Sequence, residues 1–229
     1  MRKQLVLIAL ALFICPGLTC RITFPDWPPG TDYVPLNEAD AVLDIVRDVG
    51  DLEAEVTGTI EDDAGRVVAF QDQQAVRVND IELELGADDR YGAVVPTAGV
   101  YNVTVYEPTR GVETTPVESP TDFTITSPTS GGDASLSGFT LRWTGANDRN
   151  QVRIRISQTL FGATESVSFG PYTDTGSRAF TVDDLDRFRQ GAPLTLTVTK
   201  LRTERTVAGF RTGTVTVKVT ARTTAEPRR

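Results

Sequence analysis

From about residue 37 onward, short runs of alternating apolar and polar side chains are separated by polar turns, and this pattern restricts the fold most. Residues 52–60 read LEAEVTGTI and residues 151–158 read QVRIRISQ. The second run directs alternate side chains to opposite faces, with Val152, Ile154 and Ile156 inward and Arg153 and Arg155 outward. Alternation with period two is typical of strands that bury one face. We therefore expect β-strands throughout, with one helical turn at residues 183–188.

The predicted strands fall into two series at a spacing typical of antiparallel sandwiches. In the first series, Asn79 and Asp80 are a candidate two-residue hairpin turn. Residues 108–121 interrupt the pattern with prolines, which indicates a linker, or a last strand followed by a linker. The predicted organisation is a signal peptide at 1–19, a proline-rich tether at 20–36, a first sandwich at 37–107, a linker at 108–121, a second sandwich at 122–222 and a tail at 223–229.

The first twenty residues have the parts of a secretory signal. Arg2 and Lys3 precede an uninterrupted apolar run at residues 5–14, and Pro16-Gly17 follows shortly after it. Ten residues span about 15 Å as a helix, half of the roughly 30 Å hydrocarbon core. The segment therefore predicts export and disfavours a permanent transmembrane anchor.

Cys20 ends this segment, in the sequence Gly17-Leu18-Thr19-Cys20. This arrangement resembles the lipobox of bacterial lipoproteins, which implies that Cys20 becomes the lipidated first residue of the mature chain. The family prefers Leu and Gly or Ala where this chain has Gly17 and Thr19. The alternative is ordinary cleavage nearby, which would leave a soluble protein with an unpaired thiol. A lone cysteine is unusual in an oxidising compartment, and this favours lipidation.

Composition excludes several functions. The chain has no histidine, so His-activated nucleophiles and His-containing zinc sites are absent. Its net charge is −8, which repels phosphate backbones and argues against nucleic acid as a partner. We expect no cofactor, no metal and no catalytic residue.

Trp143 ends a predicted strand that follows a loop of small residues at 129–138. The order of Ser-Pro, polar loop, strand with tryptophan and alternating strand resembles fibronectin type III and immunoglobulin-like sandwiches, over residues 121–222. The resemblance implies that Trp143 is buried between two sheets. The first half resembles the immunoglobulin-like modules of exported bacterial proteins, and such folds carry many unrelated functions.

Two groups of residues are candidates for ligand binding. Acidic turns at 61–63, 88–89 and 183–186 offer oxygens for Ca²⁺, although they lack the spacing of a calcium loop. Exposed aromatic rings could stack on sugars, and the candidates are Trp27, Tyr33, Tyr91, Tyr101, Tyr106, Trp143 and Tyr172.

We therefore expect an exported, non-enzymatic lipoprotein, anchored in the cell envelope through Cys20. It would act as a binding, adhesion or structural module that contacts a protein or a cell-surface polymer through sheet edges or loops. The alternative is a soluble, secreted module that binds carbohydrate or calcium.

Overall fold

The structure is a computed structural model that describes residues 33–71 and 73–229. This part of the chain is all-β, and it has two 3₁₀ turns, at Leu36–Glu38 and Asp183–Leu185. Within it, no helix has the length and hydropathy needed to cross a bilayer. The strands are β1 (Asp40–Asp48), β2 (Glu53–Glu61), β3 (Ala75–Val78), β4 (Ile81–Glu82), β5 (Glu84–Leu85), β6 (Tyr91–Pro96), β7 (Val100–Glu107), β8 (Gly111–Glu118), β9 (Ile125–Ser127), β10 (Gly132–Ser135), β11 (Gly138–Trp143), β12 (Gln151–Leu160), β13 (Ala163–Thr173), β14 (Ser177–Thr181), β15 (Leu194–Glu204) and β16 (Thr212–Arg228).

One long sheet runs through the described residues, in the order β13-β12-β15-β16-β1-β2-β6-β5. Its central strand, β16, pairs antiparallel with β15 from Val215 to Ala225. On its other side β16 pairs in parallel first with β1 and then, beyond Thr220, with β10. The strand that ends the sequence is therefore the strand that joins the two halves of the sheet.

Two smaller sheets contribute to two apolar cores. The sheet β4-β3-β7-β8 shares one core with β1, β2 and the first half of β16, and the sheet β14-β11-β9 shares the other with β12, β15 and the second half of β16. Both cores collect the alternate side chains of strands from a larger and a smaller sheet, as in a sandwich. In β16, Val215 and Val217 enter the first core, whereas Val219 and Ala225 enter the second.

The all-β prediction is confirmed, and the packing is sandwich-like. The division into two tandem domains is not confirmed, because Tyr33–Arg229 forms one compact unit and the long sheet crosses the expected boundary. Part of the expected linker forms β8, which pairs along the whole of β7. This matches the alternative of a last strand followed by a linker. The expected tail is also largely strand, since β16 continues to Arg228.

The local predictions differ in outcome. Asn79 and Asp80 form the expected two-residue turn, with φ of 48° and 66°, between the paired residues Val78 and Ile81. The alternation at 151–158 is confirmed, with its aliphatic side chains buried and its arginines exposed. Residues 67–70, expected as a strand, form only a bridge between Glu61 and Val67.

Glu107, at the end of β7, holds the segment before β1 through a buried carboxylate. It accepts hydrogen bonds from the Tyr33 hydroxyl, from the Leu36 N–H at 2.9 Å and from Gln74 Nε2 at 3.0 Å. Burial acts to raise the pKa of Glu107, but these donors outweigh it, and the net effect is a lowered pKa. The carboxylate therefore stabilises the folded state in its ionised form.

Replacing Glu107 with Gln is expected to lower the free energy of unfolding by about 1–3 kcal/mol at neutral pH, because an amide N–H₂ would face donors. The folded-state pKa is lowered, so the wild-type advantage is present above the ordinary carboxyl pKa of 4.5 and is lost as the pH falls below it. Urea unfolding of both proteins at pH 7 and pH 3 measures this. An equal difference at both pH values would contradict it.

Deleting residues 223–229 is expected to destabilise the protein by at least about 2 kcal/mol, because the buried Ala225 and its ladder bonds to β15 and β10 are removed. Deleting Arg229 alone is the control, since this exposed residue lies beyond the strand, and its effect should stay within about 0.5 kcal/mol. The measurement is the thermal unfolding midpoint. Equal midpoints for the two truncations would show that residues 223–228 act as a tail.

Candidate functional site

A network of buried polar groups lies in the second core, around Trp143. The indole Nε1–H donates to Asp174 Oδ1 at 2.7 Å, and Asp174 Oδ2 forms an ion pair with Lys200 Nζ at 2.9 Å. Both charged side chains are 0% exposed. The expectation that Trp143 is buried in the core is therefore confirmed.

The contacts of Lys200 show that this network is structural. Its ammonium also donates to the carbonyl oxygens of Thr144, at 3.0 Å, and Gly145, and lies 4.7 Å from the centroid of the Phe123 ring. The ammonium therefore donates two hydrogen bonds to carbonyl oxygens, and its contact with Asp174 Oδ2 is an ion pair without a hydrogen bond. A charge pair that is closed to water holds strands together and offers no access to a substrate.

The acidic turns are held by local hydrogen bonds. Asp62 accepts from the backbone N–H groups of Ala64 and Arg66, both at 2.9 Å, and from Arg66 Nε at 2.7 Å. Asp184 accepts from the N–H and the hydroxyl of Thr181. Side chains of this kind commonly close turns on their own backbone. Within residues 33–71 and 73–229, no group of three or more acidic or cysteine ligands is arranged for a metal ion.

Burial removes three of the aromatic candidates from the surface of the described residues. Tyr91, Tyr101 and Trp143 are buried, whereas Tyr33 and Tyr172 are partly exposed. Tyr91 hydrogen-bonds to the Val68 carbonyl, and burial raises its pKa to about 12. Trp27 and Cys20 lie outside the described residues.

The outer edge of β13 is a long sheet edge without a partner strand among the described residues. This strand pairs only with β12, and its other side has no partner among the described strands. Over residues 163–169 it reads ATESVSF, with one charged side chain, Glu165. Native proteins usually protect such an edge with charges, proline, bulges or short length. Here the protection begins only at Gly170 and Pro171, beside an irregular register with β12.

Each of the other edges has a protective feature. β4 and β5 are two residues long, β9 has three residues and β10 has four. β8 carries Glu113, Pro116 and Glu118. β14 carries a charged residue, Arg178, which contacts Phe180 of the same strand and Phe169 and Tyr172 of β13. A long edge without protection is therefore specific to β13 in the described residues.

Phe161 projects from the turn that precedes this edge. Phe161 and Gly162 form a two-residue turn between the paired residues Leu160 and Ala163. Their φ values, 51° and 84°, lie in the left-handed region that a turn of this kind requires. A bulky aromatic residue is strained there. The Phe161 side chain is nevertheless fully exposed and gains no packing in the folded protein.

The residues from Phe161 to Phe169 are hereafter called the edge surface. The sequence predicted contact through sheet edges or loops in general and did not identify this one. Two signals were available, namely a Phe-Gly pair between alternating runs and the scarcity of charge from 163 to 169. Neither signal shows that β13 is the last strand of its sheet, because that depends on which strands pair.

Comparisons with known proteins leave the family open. No protein family and no curated protein matches the chain. Among solved structures, it is similar to the crystal structure of a Salmonella alpha-2-macroglobulin mutant, with 10% sequence identity and a TM-score of 0.26. The match covers 86% of this chain and 15% of that chain. The all-β assignment therefore rests on the strands themselves.

Replacing Lys200 with Met is expected to cost about 3–5 kcal/mol, because Asp174 would remain buried without its counter-ion. The double variant Lys200→Met with Asp174→Asn should cost less than the sum of the two single changes, since the neutral amide still accepts from Trp143. Denaturant unfolding of the four proteins gives the coupling energy. Additive costs would show that the two charges do not stabilise each other.

Proposed function

We propose that this chain is an exported lipoprotein that acts as a non-enzymatic binding, adhesion or structural module of the cell envelope. Its partner adds an extended segment to the free edge of β13. The observation that supports this most strongly is the long edge without protection at residues 163–169, in a protein whose other described edges are short or blocked. Strand addition to an open sheet edge is an established mode of peptide recognition.

Hairpin geometry identifies the backbone groups of β13 that would form hydrogen bonds with an added strand. Leu160 and Ala163 flank a two-residue turn and so form a hydrogen-bonded pair, and every second residue of β13 then bonds to β12. The N–H and C=O groups of Thr164, Ser166 and Ser168 consequently point to the open side. An added strand would pair with these groups, and each bond contributes about 0.5–1.5 kcal/mol net.

Phe161 provides an apolar contact at one end of the same edge. Burying an exposed phenylalanine side chain contributes about 1.5–3 kcal/mol. The strained turn keeps this ring in solvent in the free protein. A partner strand that extends past Ala163 would meet the ring directly, so backbone pairing and apolar contact would act together.

Anchoring in the envelope is proposed from the sequence, because Cys20 lies outside the described residues. An apolar run followed by a cysteine suits lipid attachment, and the methylenes of the acyl chains contribute about 0.8 kcal/mol each to membrane binding. The proline-rich stretch between Cys20 and Tyr33 would serve as a spacer of at most about 40 Å.

Lipidation predicts that the intact mass of Cys20-initiated protein from the membrane fraction includes a diacylglycerol adduct. Replacing Cys20 with Ser should move the protein to the soluble fraction. Replacing Cys15 with Ser is the matched control, because it removes the other cysteine and leaves the proposed attachment site intact. Unmodified Cys20 in the membrane fraction would contradict the lipoprotein proposal.

Strand addition predicts that a photoreactive benzophenone amino acid at Ser168 forms an adduct in intact cells that make the protein. Combining it with Ser166→Pro, which removes an outward N–H, should reduce the adduct about two- to tenfold. Ser166→Ala is the matched control, because it also removes the hydroxyl that contacts Arg155 but keeps the N–H. Combining it with the photoreactive residue should leave the adduct yield unchanged.

The same photoreactive residue at Val112 tests whether the effect is specific to β13, since Val112 is exposed on the protected edge strand β8. We expect an adduct from Ser168 and none from Val112. Adducts of equal yield from both positions, or no loss with Ser166→Pro, would contradict strand addition at β13.

A further inference from the structure

A cavity of about 280 Å³ is lined by residues of β11, β12, β13 and β14. The cavity lining that belongs to the second core is apolar. Hydroxyl groups and the Arg178 guanidinium form the rest of the lining. The lining includes Trp143, Val152, Ile154, Tyr172, Ser177 and Arg178. An apolar cavity of about 150 Å³ can hold benzene, so this space suits a ring that carries one further group.

Arg178 is the one cation in this lining, and it has no counter-ion. Within the described residues it forms no ion pair, and its buried Nε has no hydrogen-bond partner. The neighbouring carboxylate, Asp174, is already paired with Lys200. A partly buried cation without a counter-ion loses hydration, and among the contacts of Arg178 only the neighbouring aromatic rings offset that loss.

Three aromatic rings surround the Arg178 guanidinium. Its central carbon lies 4.4 Å from the centroid of the Tyr172 ring and 5.7 Å from the centroids of Phe169 and Phe180. These contacts involve ring faces and no hydrogen-bond acceptor, so they leave the guanidinium N–H groups for a second ligand. A planar, oriented fork of donors matches a carboxylate in a bidentate arrangement.

We propose that this cavity binds a small monocarboxylate with an aromatic or aliphatic body. The carboxylate pairs with Arg178, and the body packs against Trp143, Val152 and Ile154. A phosphate or another dianion fits less well, because the lining offers a single positive charge and a mostly apolar wall. The proposal does not depend on strand addition, because the cavity lining shares no residue with the edge surface.

Titration of the full protein with benzoate, followed by ¹H–¹⁵N NMR, tests the site. The reporters are the Arg178 Nε–H and the Trp143 indole N–H, and the latter is one of two indole signals because the chain has two tryptophans. We expect both signals to shift. Benzamide, a neutral molecule of the same shape, should bind about tenfold more weakly or worse, because it cannot form the charged pair.

Variants separate a binding role from a structural one. Arg178→Gln should remove the preference for benzoate over benzamide, and Arg178→Lys should keep part of it, because the charge remains and the fork is lost. Arg153→Gln removes an exposed arginine from neighbouring β12 and is the matched control.

Two outcomes would overturn the proposal. One is equal binding of benzoate and benzamide to the wild-type protein, a measurement that needs no variant to fold. The other is an unchanged preference in a folded Arg178→Gln protein. Either result would restrict Arg178 to shielding the edge of β14 as an inward-pointing charge.

Discussion

The pairing of β16 with strands from both halves of the sequence holds this protein together. One face of β16 supplies valines to the first core and then Val219 and Ala225 to the second. The strand also bonds in parallel to β1 and antiparallel to β15, so neither core is complete without the last segment of the chain. Two sandwiches joined by a flexible linker could separate, but two cores that share a strand form one cooperative unit.

The buried ion pair has a comparable role near β13, at one end of the long sheet. Asp174 lies where the chain leaves β13 and crosses to β14, and Lys200 fixes that crossing from β15. Tyr172 precedes Asp174 by two residues and Arg178 follows it by four. The position of the crossing therefore determines where the Arg178 guanidinium meets the Tyr172 ring. The buried Asp174–Lys200 pair thus helps to shape the solvent-accessible cavity that Tyr172 and Arg178 line.

Some parts of this structure can be predicted from the sequence and others cannot. The difference depends on whether the interactions join residues that are near or far apart in the sequence. Alternation predicts the orientation of residues 151–158 because side-chain direction in a strand is local. The Asn79-Asp80 turn is predictable because only a few residues tolerate positive φ. The parallel contact of β1 with β16 joins residues about 170 positions apart, and no local pattern encodes it. Residues 223–228 resemble a tail for the same reason, because their partners are distant in sequence.

The free edge of β13 follows from the same long-range pairing. β13 is an edge strand because β12 pairs with β15 on its other side. The low charge of β13 can be interpreted as a feature of a sheet edge only when that strand order is known. An edge of this length invites association between copies of the chain. Two features oppose that association, namely a net charge of −8, which repels like molecules, and the Gly170-Pro171 pair, which limits the regular edge to residues 163–169. A partner strand of about seven residues with neutral or positive charge avoids both obstacles. These two features oppose self-association but would not oppose the partner strand that we propose.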